Sequence, residues 1–118
     1  MTTRELMRII MADPFANVTF SGGDPMYQAE GFAELARAIH RFSNKDIWCY
    51  TGFVYESLIN EEQRELLENI DVLVDGPFIE KLHDPDLLFR GSTNQRLIDV
   101  PKTLYAGEVI LWQPNIEI

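Results

Sequence analysis

The chain has 118 residues, 46% of them hydrophobic, with 19 acidic against 10 basic side chains and a formal net charge of −9. That length suffices for one compact domain with a real core and not for two, so residues 1–118 are read as a single domain. The acidic balance argues against nucleic acid or an anionic membrane as partner, because counterion release needs clustered Lys and Arg.

In chain order, Thr2 and Glu5 fit a capping box, and Leu6, Ile9 and Ile10 make a short apolar stripe. A first helix is expected to end near Met11 or Ala12, ahead of Pro14. Val18, Thr19 and Phe20 read as a buried strand that runs into Ser21, Gly22, Gly23 and Asp24. Such a turn exposes backbone NH groups, puts no Cβ in the way of a ligand and sets one carboxylate at its mouth. Taken alone, the same residues also make an ordinary turn with Asp24 as a local cap. Phe32, Leu35, Ala36, Ile39 and Phe42 then recur at helical spacing. Ile47 to Tyr50 supply a second strand, closed by Thr51 and Gly52. A helical stretch follows from about Tyr55, with Asn60 and Gln63 suited to capping a segment that carries Leu66 and Leu67. The third strand is Val72 to Val74, ending at Asp75, Gly76 and Pro77.

Strands recurring at roughly 25-residue intervals with helices between them are the pattern of parallel βαβ units joined by right-handed crossovers. In such an array Ser21 to Gly23, Thr51 with Gly52, and Asp75 with Gly76 all fall at carboxyl ends of strands. They share one rim, where α/β sheets and barrels build small-molecule sites. Beyond Asp75 the pattern loosens. The run Arg90 to Arg96, RGSTNQR, is a dense set of donors suited to a carboxylate, a phosphate or an adenine edge. It reads equally as a solvated loop with Arg96 paired to an acid. An apolar run follows at Leu97 to Val100, and the tail from Tyr105 carries a candidate last strand around Val109 to Trp112.

No apolar stretch approaches the roughly 20 residues that span a bilayer, and the first residues lack a cleavable signal pattern, so the expected location is the cytoplasm. The single Cys49 sits in the run IWCY and reads as strand packing. One cysteine cannot hold an iron–sulfur cluster, which needs three or four thiolates. His40 and His83 stand at no metal-ligand spacing and read as surface residues. Neither sits at a strand end, so Ser21 has no base and no catalytic residue is assigned.

The stretches VTFSGGDPMYQ, DIWCYTGF, DVLVDGPF and FRGSTNQRLIDV, in this order, closely resemble the activating proteins of anaerobic ribonucleoside-triphosphate reductases, a family of radical S-adenosylmethionine enzymes. The resemblance covers nearly the whole chain, and its last two stretches are much more specific to the family than the glycine turn. It implies an α/β fold, a partial (β/α) barrel of parallel strands truncated here at its N-terminus. Ser21, Gly22, Gly23 and Asp24 match the family's glycine-glycine-glutamate motif, whose backbone and acid hold the amino group of the methionine moiety. Thr51 and Asp75 match later strand ends that face the same cofactor. Asn94, Gln95 and Arg96 match the family's own signature and are counted with the cofactor-binding residues.

Two departures bear on function. Asp24 is one methylene shorter than the usual glutamate, which shortens its reach to an ammonium group. The family's three-cysteine motif, which binds a 4Fe-4S cluster ahead of the glycine turn, has no counterpart in the 17 residues before Val18. The first strand and the cluster loop are therefore expected to be missing, as in a fragment of a longer protein or a degenerate relative, the fragment being favoured. The resemblance implies that the full-length protein cleaves S-adenosylmethionine to a 5′-deoxyadenosyl radical, which takes hydrogen from a glycine of the reductase. This chain alone is expected to be inactive. Two other readings stay open: a cluster-free module that holds an adenosyl compound on the rim, and a domain that docks on the reductase without a ligand. The uncovered strand at Val18 to Ser21 also predicts a homo-oligomer through that edge.

Overall fold

Short β-branched runs and longer helical stripes resolve into an α/β fold in the computed structural model, which describes residues 3–12, 17–20, 23–87 and 89–113. The order is α1 (Thr3–Met11), β1 (Val18–Phe20), α2 (Ala29–Phe42), β2 (Ile47–Tyr50), α3 (Glu61–Leu67), β3 (Val72–Asp75), β4 (Arg96–Asp99) and α4 (Val100–Ala106). Single 3-10 turns lie at Pro25–Gln28, Tyr55–Ser57 and Glu80–Leu82. Thr2, Ser21 and Gly22, expected as a helix cap and as part of the glycine turn, lie outside the described residues.

The strands form one sheet in the order β1-β2-β3-β4. β1, β2 and β3 are parallel, as the alternation of strand and helix predicts, with Phe20 opposite Cys49 and Cys49 opposite Leu73. β4 departs from the all-parallel expectation and runs antiparallel to β3, with Asp75 opposite Arg96. The reason is the connection: between Asp75 and Arg96 the chain forms loops and one short 3-10 turn. Among its described residues there is no crossover helix to carry it back to the start of the sheet.

Helices α2 and α3 cover one face. Ala33, Leu35, Ala36 and Ile39 of α2 and Leu66 and Leu67 of α3 meet Phe20, Ile47, Cys49, Leu73 and Ile98 in a single cluster, all of them at most 6% exposed. The strand period of two sends Trp48 and Tyr50 to the other face. There Trp48 packs 5.1 Å from Phe89 and 4.9 Å from Trp112, ring centroid to centroid. Phe42 does not join the stripe that its spacing suggests. As the last residue of α2 it is 64% exposed, with the Arg41 guanidinium 5.6 Å from its ring centre.

Asn60 caps α3 as expected, its Oδ1 accepting from the Gln63 amide at 2.8 Å. The stretch before it, from Tyr55, is a 3-10 turn rather than a longer helix. α4 was not expected. Its signals were present in Asp99, which accepts from the Lys102 amide at 3.1 Å, in Pro101 in the first turn, and in Gly107, which ends the helix at φ +74°. After α4 the tail returns beside β4, through Asp99 N to Ile110 O at 2.9 Å and Trp112 N to Leu97 O at 2.8 Å. The expected last strand is a single bridge, Ile98 with Leu111. Among the described residues no helix is long and apolar enough to cross a membrane.

Candidate functional site

Three parallel strands put their carboxyl ends on one rim, and the antiparallel β4 starts there. The segment before β4 is thereby delivered to the same place as the loops after β1, β2 and β3. A cavity of about 230 Å³ opens on this rim, lined by Asp24, Tyr50, Thr51, Gly52, Gly76, Phe78 and Gln95. Of the residues expected to bind a cofactor, Asp24, Thr51 and Gln95 line it. Gly52 and Gly76, expected on the same rim, line it as well, and Tyr50 and Phe78 are added by the fold. Tyr50 was legible in principle, because in an alternating strand it must face away from the buried Cys49. A larger recess of about 410 Å³ lies at the starts of α2 and α3, lined by Tyr27, Glu30, Asn60 and Glu62 among others, and contains none of the strand-end residues.

Asp24 joins two strand exits. Its Oδ1 accepts from the Met26 amide at 3.0 Å, capping the 3-10 turn. Its Oδ2 accepts from the Thr51 hydroxyl at 3.0 Å and from the Gly52 amide at 2.8 Å. All three donors are neutral, and among the described residues no cationic side chain pairs with this carboxylate. A negative charge therefore faces the cavity held in position but not neutralised.

Asp75 shows the opposite arrangement. It is 1% exposed, accepts from the Tyr55 amide at 2.8 Å, and carries both Nε and Nη2 of Arg96 across its two oxygens. Such a two-pronged pair matches the planar guanidinium to the carboxylate. Arg96 Nη2 also reaches Glu56, so the guanidinium is held more firmly protonated than usual and the Glu56 carboxyl is held below its ordinary range. Asp75 and Arg96 thus lie behind the cavity wall rather than in it. Asn94 stands beside them, its Nδ2 donating to Pro77 O at 2.8 Å and its buried Oδ1 without a partner among the described residues. Gly23, next to Asp24 in the chain, is not among the lining residues, and among the described residues beyond its chain neighbours nothing lies within 4 Å of where its Cβ would stand.

The arrangement fits a small molecule with a cationic end better than it fits a metal. Among the described residues no group of three or more His, Cys, Asp and Glu is placed to hold a metal ion. Cys49 is fully buried, and burial, with the Asp24 charge nearby, pushes its thiol up to about 12. Its place inside the core puts the thiol out of reach of a substrate or a metal ion. His40 and His83 are exposed, as expected, and His40 Nε2 lies 2.9 Å from Asn69 O.

A family model described as a 4Fe-4S single cluster domain matches residues 1–98, and the chain belongs to that family. Its relatives include proteins named anaerobic ribonucleoside-triphosphate reductase-activating protein. That of Haemophilus influenzae is 42% identical over 81 residues, which is 66% of this chain and 52% of the relative. That of Vibrio cholerae is 46% identical and that of Escherichia coli 38%, each over 66% of this chain and 52% of the relative. The chain thus spans about half the length of these curated relatives. No solved structure matches it. The family's cluster does not fit the residues present, since the sequence holds one cysteine, buried in the core, where such a cluster takes three or four thiolates.

The pairing of Asp75 has a measurable consequence. Arg96→Met leaves a buried carboxylate uncompensated and is expected to lower stability in urea by about 3–5 kcal/mol. The double variant Asp75→Asn with Arg96→Met is expected to recover much of that loss. Equal losses in single and double variants would mean that the pair is not what neutralises this strand end.

Proposed function

We propose that the chain forms the S-adenosylmethionine-binding part of an activating protein that generates a glycyl radical on anaerobic ribonucleoside-triphosphate reductase. The observation that carries this reading is the contrast between two strand-end acids. Asp75 is neutralised behind the wall, whereas Asp24 is oriented by three neutral donors and left with its charge facing the cavity. An anion prepared in this way suits the ammonium of an amino acid moiety. Thr51 and Gly52 hold that carboxylate, and Tyr50 and Phe78 offer rings to the adenosyl end. The relatives' printed names and the family model support the assignment to reductase activation.

When bound, S-adenosylmethionine supplies the precursor of a carbon radical, and its reductive opening needs an electron from a cluster. The residues of this chain do not hold one, so their part is to bind and orient the cofactor. The isolated chain is expected to perform no radical chemistry. In this reading the three parallel strands and their helices form part of a (β/α) barrel, and the reductase is the partner met at the rim. A second copy is proposed to pair with the outer edge of β1, which ends the sheet among the described residues. Sedimentation that shows only monomer at every concentration would overturn that pairing.

Titration calorimetry tests the cofactor. The chain is expected to bind both S-adenosylmethionine and methylthioadenosine, which lacks the amino acid group. Asp24→Ala is expected to weaken the first by about tenfold or more and to leave the second unchanged, the size expected of one charge-assisted contact. Equal weakening of both would remove Asp24 from the ammonium site. If neither ligand binds and the reductase still captures the chain, the ligand-free docking reading replaces this one.

A further inference from the structure

The three residues Asn94, Gln95 and Arg96 form a side-chain zipper. β3 and β4 are paired with Val74 opposite Leu97 and Asp75 opposite Arg96, where the ladder ends. Continued by two residues, the same register sets Gly76 opposite Gln95 and Pro77 opposite Asn94. Pro77 has no backbone NH to give, and Gly76 turns at φ +94°, so main-chain pairing cannot extend into this turn. Side chains take over in strict succession. Arg96 holds the Asp75 carboxylate, Gln95 Nε2 donates to Gly76 O at 3.1 Å, and Asn94 Nδ2 donates to Pro77 O at 2.8 Å.

Gln95 also faces the other way. Its Oε1 accepts from the Gly91 amide at 2.9 Å and the Ser92 amide at 3.1 Å. Phe78, in the first of these segments, lays its ring against the second: a Cβ on Gly91 would stand 2.9 Å from its Cδ2. The amide of one residue, Gln95, itself 9% exposed, therefore ties the loop after β3 to the loop before β4, and both flank the cavity.

We infer that Gln95 is a positioning residue, which sets the Gly76–Phe78 wall of the cavity through the zipper. This rests on the reading of the cavity as the ligand site, and it gives the signature residues a different task from direct cofactor contact. Arg96 and Asn94 continue the same register on either side and keep the turn from sliding.

The test is Gln95→Glu in the full chain, read by amide hydrogen exchange and by calorimetry with S-adenosylmethionine. The glutamate can still accept from Gly91 and Ser92 but sets an acceptor against Gly76 O. Exchange is expected to quicken about tenfold at the Gly76 amide, bonded to Phe53 O at 2.8 Å, and at the Ile79 amide, bonded to Ser92 Oγ at 3.3 Å. Amides of α2 and α3 are expected to keep their rates, and the cofactor to bind about tenfold more weakly. Unchanged exchange at Gly76 and Ile79 overturns the inference, as does acceleration that is uniform across the chain. Weaker binding with an undisturbed wall would make Gln95 a direct contact and overturns it too. If the unaltered chain binds no S-adenosylmethionine, the functional reading fails by itself, and the exchange rates still decide whether Gln95 sets the wall.

Discussion

A carboxylate at the end of a central strand, 1% exposed, has to be neutralised, and the Arg96 guanidinium laid across Asp75 does this. Much of the rim follows from that pair. It fixes the first residue of β4 against the last residue of β3, and so fixes the register of the antiparallel return. Through Glu56 and the Tyr55 amide it also anchors the loop after β2. Three chain segments distant in sequence are thereby brought to one end of the sheet. Burying such a pair is costly, and removing one partner costs more than removing both.

Against that locked background Asp24 stands out. It caps its own 3-10 turn and reaches across to the exit of β2, yet no cation answers it among the described residues. The donors around it orient the carboxylate without neutralising it, which is what a site for a positively charged ligand group requires. The fold thus separates two tasks between chemically identical groups: Asp75 holds the rim together, and Asp24 is presented to the cavity.

Much of this was legible in the residues. The strand-helix alternation gave β1, β2 and β3 with their glycine or Asp-Gly exits, and hence one shared rim, because parallel strands leave no other place for those residues to meet. Asn60 announced α3 through its cap. The direction of β4 was not legible, since an apolar run such as Leu97 to Val100 carries no mark of orientation, and α4 was hidden because the same run reads through its start. At the site, residue type alone could not separate ligand contacts from scaffold. Asp75, Gln95 and Arg96 are as polar as Asp24 and Thr51, and only the pairing register places the first and third behind the wall and gives Gln95 two loops to hold. Phe78 was invisible for the converse reason, as an aromatic in a loop becomes a cavity wall only when Gly91 leaves room for its ring.

If Asp24 is presented to a ligand, that ligand binds in the strand-end cavity and not in the larger recess at the starts of α2 and α3. A nitrogen-labelled sample titrated with S-adenosylmethionine, with backbone amide shifts followed by NMR, tests it most directly. Shifts concentrated at Gly52, Gly76 and Phe78 are the predicted result. Shifts centred instead on Glu30, Gly31 and Glu62, or none at all, would contradict it.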